Sequence, residues 1–182
     1  MNTPNKLTLF RILLIPLFMV VALYEIIPFK TVVALVVFIL ACATDWLDGY
    51  LARKNNEVTN FGKIVDPLAD KMLVTAALLC LVNDNLISPW IAIIILAREF
   101  IVSGIRISAA SEGNVIAASM WGKVKTVWQF IAICITLVLA DFAADFAFAK
   151  VIIDICMWGA AGLTVISGID YVVKNIRYLS MK

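Results

Sequence analysis

The stretch DWLDGYLARKNNEVTNFGKIVDPLAD, residues 45 to 70, sets two pairs of aspartates at the ends of a short polar connection. Asp45 and Asp48 close one apolar run, and Asp66 and Asp70 open the next. On a helix, residues three or four apart share a face with Cβ atoms roughly 5–6 Å apart, so each pair presents its carboxylates in one direction. The polar segment from Lys54 to Asn60 is short enough to fold two helices back on each other, which would bring four acids to one pocket. At an effective dielectric of about 20, two close unit charges interact with on the order of 4 kcal/mol, so acids gathered this way must be protonated or hold metal. Divalent cations meet that requirement directly.

Outward from this hairpin the chain reads as membrane sequence. Of its 182 residues 63% are hydrophobic, and the mean hydropathy is +1.00, more than a soluble domain needs for its core. Six runs approach the roughly 17–25 residues that span a bilayer: Leu7 to Ile27, Thr31 to Leu51, Ile64 to Val82, Pro89 to Ala109, Val124 to Ala140 and Val151 to Tyr171. Only helices satisfy their backbone within such a segment, so the expected fold is all-α, with six transmembrane helices in a single integral-membrane domain over residues 1–182. The first run is too long for a secretory signal and no small-residue cleavage site follows it, so it is expected to stay as a membrane helix. The chain has no histidine, which removes the commonest general base and the commonest transition-metal ligand. Cys42, Cys80, Cys134 and Cys156 fall singly inside the spans and read as buried thiols.

Charge placement sets the orientation. If six helices alternate, thirteen of the fifteen Lys and Arg residues fall on one side, and only Lys30 and Lys150 on the other, where Glu25, Asp84, Asp141, Asp145 and Asp154 lie. That asymmetry puts both termini and the aspartate hairpin in the cytoplasm. Thr3 and Pro4 read as the start of the first helix, which would carry Asn5, Thr8 and Arg11 along one face. These three are either an interfacial anchor with a snorkelling arginine or groups that reach a ligand. Pro16 can kink this helix, and Pro28 helps end it.

The fourth run is interrupted by Arg98, Glu99 and Arg106. Arg98 and Arg106 lie slightly over two turns apart and share a face. An arginine well inside a span is expensive and usually faces a cavity or a partner. Glu99 could pair with one of them, although its neighbouring position points elsewhere on the helix. Lys123 and Lys125 open the next helix, and Lys125 taken alone reads as a surface anchor. Trp90, Trp121, Trp128 and Trp158 read as interfacial or packing aromatics. Gly49 and Gly62 allow close helix packing or the close approach of a phosphate.

Written as a pattern, the hairpin is Asp45-x2-Asp48-Gly49-x2-Ala52-Arg53-x8-Gly62-x3-Asp66-x3-Asp70. At every defined position it resembles the signature of the CDP-alcohol phosphotransferase family of membrane phospholipid synthases. Pro4-Asn5 with Thr8 and Arg11, the run from Arg98-Glu99 to Arg106, and Gly122-Lys123-x-Lys125-Thr126 are similar to the bacterial branch that makes phosphatidylglycerophosphate.

The resemblance implies a six-helix fold, a homodimer and a polar active-site cavity open to the cytoplasmic face of the cell membrane. It implies CDP-diacylglycerol as donor, and Mg2+ or Mn2+ held by Asp45, Asp48, Asp66 and Asp70, with Asp70 as general base. Asn5, Thr8, Arg11, Gly49, Ala52, Arg53 and Gly62 would bind the donor. A phosphorylated acceptor such as sn-glycerol 3-phosphate needs cationic groups beside the metals, and Arg98, Arg106, Lys123 and Lys125 supply candidates. The chemistry with another acceptor, such as inositol phosphate, serine or phosphatidylglycerol, is the near alternative. A cation transporter is the distant one, since intramembrane carboxylates also mark ion pathways; against it, the acids abut a basic loop and no repeat is evident.

Overall fold

The computed structural model of the protein describes residues 3–24, 29–54, 60–111, 113–114, 116–117, 119–142 and 146–176; within these, the side chains of residues 3–7, 45–54, 60–64 and 66–67 fall outside the description. Every regular element among the described residues is helical: α1 Thr3–Leu23, α2 Lys30–Lys54, α3 Asn60–Asn83, α4 Pro89–Ser111, α5 Met120–Leu139, a short 3-10 turn at Ala140–Phe142, and α6 Ala147–Lys174. Each matches one of the six apolar runs, displaced by a few residues at the ends. In α2 and α3 polar end residues, Lys30, Arg53 and Lys54 in the one and Asn60, Lys63 and Asn83 in the other, continue the helix beyond its apolar stretch. α1 runs unbroken through Pro16, and Pro28 lies outside the described residues.

Two helical stretches, Met120–Phe142 and Ala147–Lys174, are by themselves long and apolar enough to cross a bilayer. Their burial pattern is that of membrane helices. In α6 the buried face is Ala149, Ile153, Met157, Ala160, Ala161, Thr164, Ser167 and Tyr171, whereas Ile155, Trp158, Val165, Ile166, Ile169 and Val173 face outward. Small and hydroxyl-bearing side chains inside, with large apolar ones outside, suit association in lipid, where close backbone approach rather than hydrophobic burial holds helices together.

The chain forms two compact units, Met1–Asp84 and Asn85–Lys182. In the first, α1 packs along both α2 and α3, and α2 and α3 touch each other to a smaller extent. The α1–α2 seam includes Phe18 and Phe38, both buried, with ring centroids 5.9 Å apart. In the second, α6 packs against both α4 and α5. Trp128 of α5 donates from Nε1 to the Cys156 carbonyl of α6 at 3.1 Å. Its ring lies over Gly159, where a Cβ would stand 3.3 Å from Nε1. Trp128 is therefore a packing aromatic, as its sequence context suggested. Lys150, the first-turn lysine of α6, donates to the carbonyls of Asn85 and Leu86 at 2.9 and 3.0 Å. None of the four cysteines forms a disulfide; Cys80 is buried and the others are half-buried.

Candidate active site

On the first unit, the backbone carries the aspartate pattern as its spacing required. Asp45, Asp48, Gly49, Ala52 and Arg53 occupy the last three turns of α2, and Gly62, Asp66 and Asp70 the first three of α3. Each acid pair keeps helical spacing and so shares a face. The side chains of Asp45, Asp48 and Asp66 lie outside the described residues, as do those of Asn5, Ala52 and Arg53 and the surroundings of Gly49 and Gly62. Asp70 is described and half-buried, next to the fully buried Ala69. No group of three metal-ligating side chains occurs among the described residues. The signature acids fit a hard divalent cation, since they offer carboxylate oxygen and the chain has no histidine and no clustered thiols to favour a softer metal.

Thr8 and Arg11, one turn apart on α1, are 1% and 0% exposed. A snorkelling anchor keeps its charged head in water. Arg11 does not: its head is enclosed within the first unit.

The second unit holds a basic cluster of defined geometry. Arg98 donates from Nη1 to Glu99 Oε1 at 2.9 Å and from Nη2 to Ser167 Oγ at 2.7 Å. Lys125 donates from Nζ to the same Glu99 Oε1 at 2.6 Å. Lys125 is 2% exposed, and the side chains of Arg98 and Glu99 are 12% and 22% exposed. Two cations thus share one carboxylate oxygen, largely removed from water. Around it the surface is apolar: Arg98 borders a groove of about 420 Å³ otherwise lined mostly by residues such as Ile94, Ile101, Val165 and Ile169. Charge in such surroundings interacts strongly with an arriving anion.

Arg106 is arranged differently. Its Nε donates to Tyr171 Oη at 3.2 Å, and its guanidinium carbon lies 5.6 Å from the centroid of the same ring. Tyr171 is buried among Val102, Ile105 and Ala109, while Arg106 remains exposed, as does Lys123.

One expectation changes here and another is extended. Lys125, which in isolation read as a surface anchor, is buried and paired. The inward face of α5 is Lys125, Gln129, Ala132, Ile133 and Thr136, and Lys123, two residues earlier, falls on the outer face. Glu99, which could pair with one of the arginines despite its neighbouring position, pairs with Arg98 and, beyond that expectation, with Lys125 as well, because a long flexible carboxylate is not confined to the direction of its Cβ.

The sequence reading passed over Ser167 and Tyr171 altogether. The signal that could have found them is a polar stripe, Thr164, Ser167 and Tyr171, at spacings of three and four in an otherwise apolar helix.

Residues 1–166 match the CDP-alcohol phosphatidyltransferase family. The chain is 46% identical to a Bacillus subtilis CDP-diacylglycerol--glycerol-3-phosphate 3-phosphatidyltransferase, over 96% of this chain and 95% of that protein. A Rickettsia bellii protein of the same name is 39% identical over 97% of each chain. A Haemophilus influenzae one is 44% identical over 72% of this chain and 73% of its own. With the aspartate signature at helical register on α2 and α3, these similarities place the chain in the CDP-alcohol phosphatidyltransferase family, to which it belongs.

Proposed function

We propose that the protein transfers the phosphatidyl group from CDP-diacylglycerol to sn-glycerol 3-phosphate, giving phosphatidylglycerophosphate and CMP. The relatives named above carry that activity in their names, over nearly the full chain in two cases. The observation that favours a phosphorylated acceptor is the cluster of Arg98, Glu99 and Lys125, which sets two cations side by side and largely shielded from water. A neutral acceptor such as serine or a polyol makes no use of those cations.

In this reading Asp45, Asp48, Asp66 and Asp70 hold Mg2+ or Mn2+. The cation supplies neutralisation of the donor's pyrophosphate and of the departing CMP. Asn5, Thr8, Arg11, Gly49, Ala52, Arg53 and Gly62 bind the donor, the small residues leaving room for the cytidine diphosphate. Asp70 accepts the proton of the acceptor hydroxyl, whose oxygen forms a new bond to the phosphatidyl phosphorus as the bond to CMP breaks. Arg106 and Lys123, both exposed, offer donors to the acceptor phosphate, and Arg98 and Lys125 supply positive potential from within. The six helices are six spans, both termini and the aspartate hairpin face the cytoplasm across the inner membrane, and the protein works as a homodimer. The Lys and Arg asymmetry supports this orientation.

The test is CMP release by purified protein with Mg2+, CDP-diacylglycerol and one acceptor at a time. Glycerol 3-phosphate should exceed serine by at least about 100-fold in kcat/KM, because a site built around charged groups rejects a substrate that carries no phosphate to meet them; inositol phosphate and phosphatidylglycerol, which carry phosphate of their own, are the arms that separate acceptors within the anionic class. Comparable rates with serine or inositol phosphate would overturn the acceptor assignment.

A further inference from the structure

We propose that α6, which carries none of the residues marked by the family signature, positions both arginines of α4, with Ser167 and Tyr171 as the positioning residues for acceptor binding. The inference rests on the glycerol phosphate reading and deepens it. Arg98 and Arg106 are eight residues apart on α4, and Ser167 and Tyr171 are four apart on α6. Each arginine takes one of the two hydroxyls, Arg98 that of Ser167 at 2.7 Å and Arg106 that of Tyr171 at 3.2 Å. Both hydroxyl-bearing residues are buried, at 0% and 2% exposure, so neither is available as a general surface contact.

The path of Arg98 is also shaped by glycine. A Cβ at Gly168 of α6 would stand 3.0 Å from Arg98 Cγ, and one at Gly122 of α5 would stand 3.4 Å from Arg98 Nη2. The Arg98 chain thus crosses α6 where a side chain is missing, and its head is received by Ser167 on α6 and Glu99 on α4. A guanidinium held at both terminal nitrogens has little rotamer freedom left. Its charge then stands at a fixed place before any anion arrives, which lowers the ordering cost of binding. Tyr171 acts on Arg106 by a second route, combining the hydroxyl bond with the ring face under the guanidinium. That contact engages Nε, so the two terminal nitrogens stay outside it on an exposed residue, the fork that binds phosphate bidentately.

The experiment measures Michaelis constants for both substrates and kcat at saturating acceptor in Ser167→Ala, Tyr171→Phe and Tyr171→Leu, beside Arg98→Gln and Arg106→Ala. Ser167→Ala and Tyr171→Leu should each raise KM for glycerol 3-phosphate about tenfold, the usual worth of a hydrogen bond to a charged group, with KM for CDP-diacylglycerol and kcat near the parent values. Tyr171→Phe keeps the packed ring and should fall between parent and Tyr171→Leu; it carries the test if the leucine variant fails to fold. If the arginine variants raise the acceptor constant and the Ser167 and Tyr171 variants do not, or move both constants together, the positioning role is wrong and the acceptor site stands. If Arg98→Gln and Arg106→Ala leave the acceptor constant unchanged, the acceptor site falls and the positioning role with it.

Discussion

Asp70→Asn should lower kcat for CMP release by about 10²- to 10⁴-fold, the range a positioned general base contributes, while the KM for CDP-diacylglycerol changes little. With no histidine, proton acceptance near neutral pH falls to a carboxylate, and the aspartate pairs on α2 and α3 are the acids in the family signature. Asparagine has the shape of aspartate and keeps a carbonyl oxygen that can still face a cation, but it cannot take a proton. Asp70 is half-buried on α3, so the swap leaves packing nearly intact. The control is Asp66→Asn, which removes charge from a residue proposed to hold metal alone. Its rate should recover in part as Mg2+ is raised, because a weakened site refills by mass action. Asp70→Asn should not recover. Turnover near the parent value in Asp70→Asn would remove Asp70 as the base, and full recovery with added Mg2+ would leave it as a metal ligand alone.

The six helices were legible because each is a run of apolar residues long enough for a helix, and those two properties are written directly in the sequence. The end positions were less so, since Asn60 and Lys63 at the start of α3, and Gly122 and Lys123 at the start of α5, interrupt the apolar sequence without ending the helix. The acid signature was legible for a different reason: helical spacing alone puts each pair of carboxylates on one face. What could not be read was the direction of single charges. Lys123 and Lys125 are two residues apart, so the helix turns them to different faces, and nothing local says which of them meets a partner. Arg11 posed the same problem, and only the packing of α1 against α2 and α3 resolves it. Ser167 and Tyr171 show the limit most clearly. Each is an ordinary polar residue in an apolar helix until α4 lies alongside and supplies an arginine, and that pairing is a property of tertiary structure.

The pairing around Glu99 yields the second large effect. Arg98 and Lys125 both bond to the same Oε1, at 2.9 and 2.6 Å, so their nitrogens can be no more than about 5.5 Å apart. At an effective dielectric of about 20, two positive charges at that distance repel by on the order of 3 kcal/mol, and the shared carboxylate offsets this in the parent protein. Glu99→Gln keeps the length and one acceptor oxygen but removes the charge. Breaking a buried pair from one side costs about 3–5 kcal/mol, and with the Glu99 side chain 22% exposed the lower end applies. The variant should show a clear drop in thermal midpoint in detergent and a weakened acceptor constant, since Arg98 loses one of the two groups that hold it. Adding Lys125→Met removes one of the two cations that had shared the carboxylate and keeps an unbranched apolar stem. The double variant should therefore be more stable than Glu99→Gln alone, a coupling between contacting residues that simple addition of the two single effects cannot produce. Strict additivity across the cycle would mean that Glu99 and Lys125 do not act on each other, and the assignment of a buried, charge-sharing cluster would be lost.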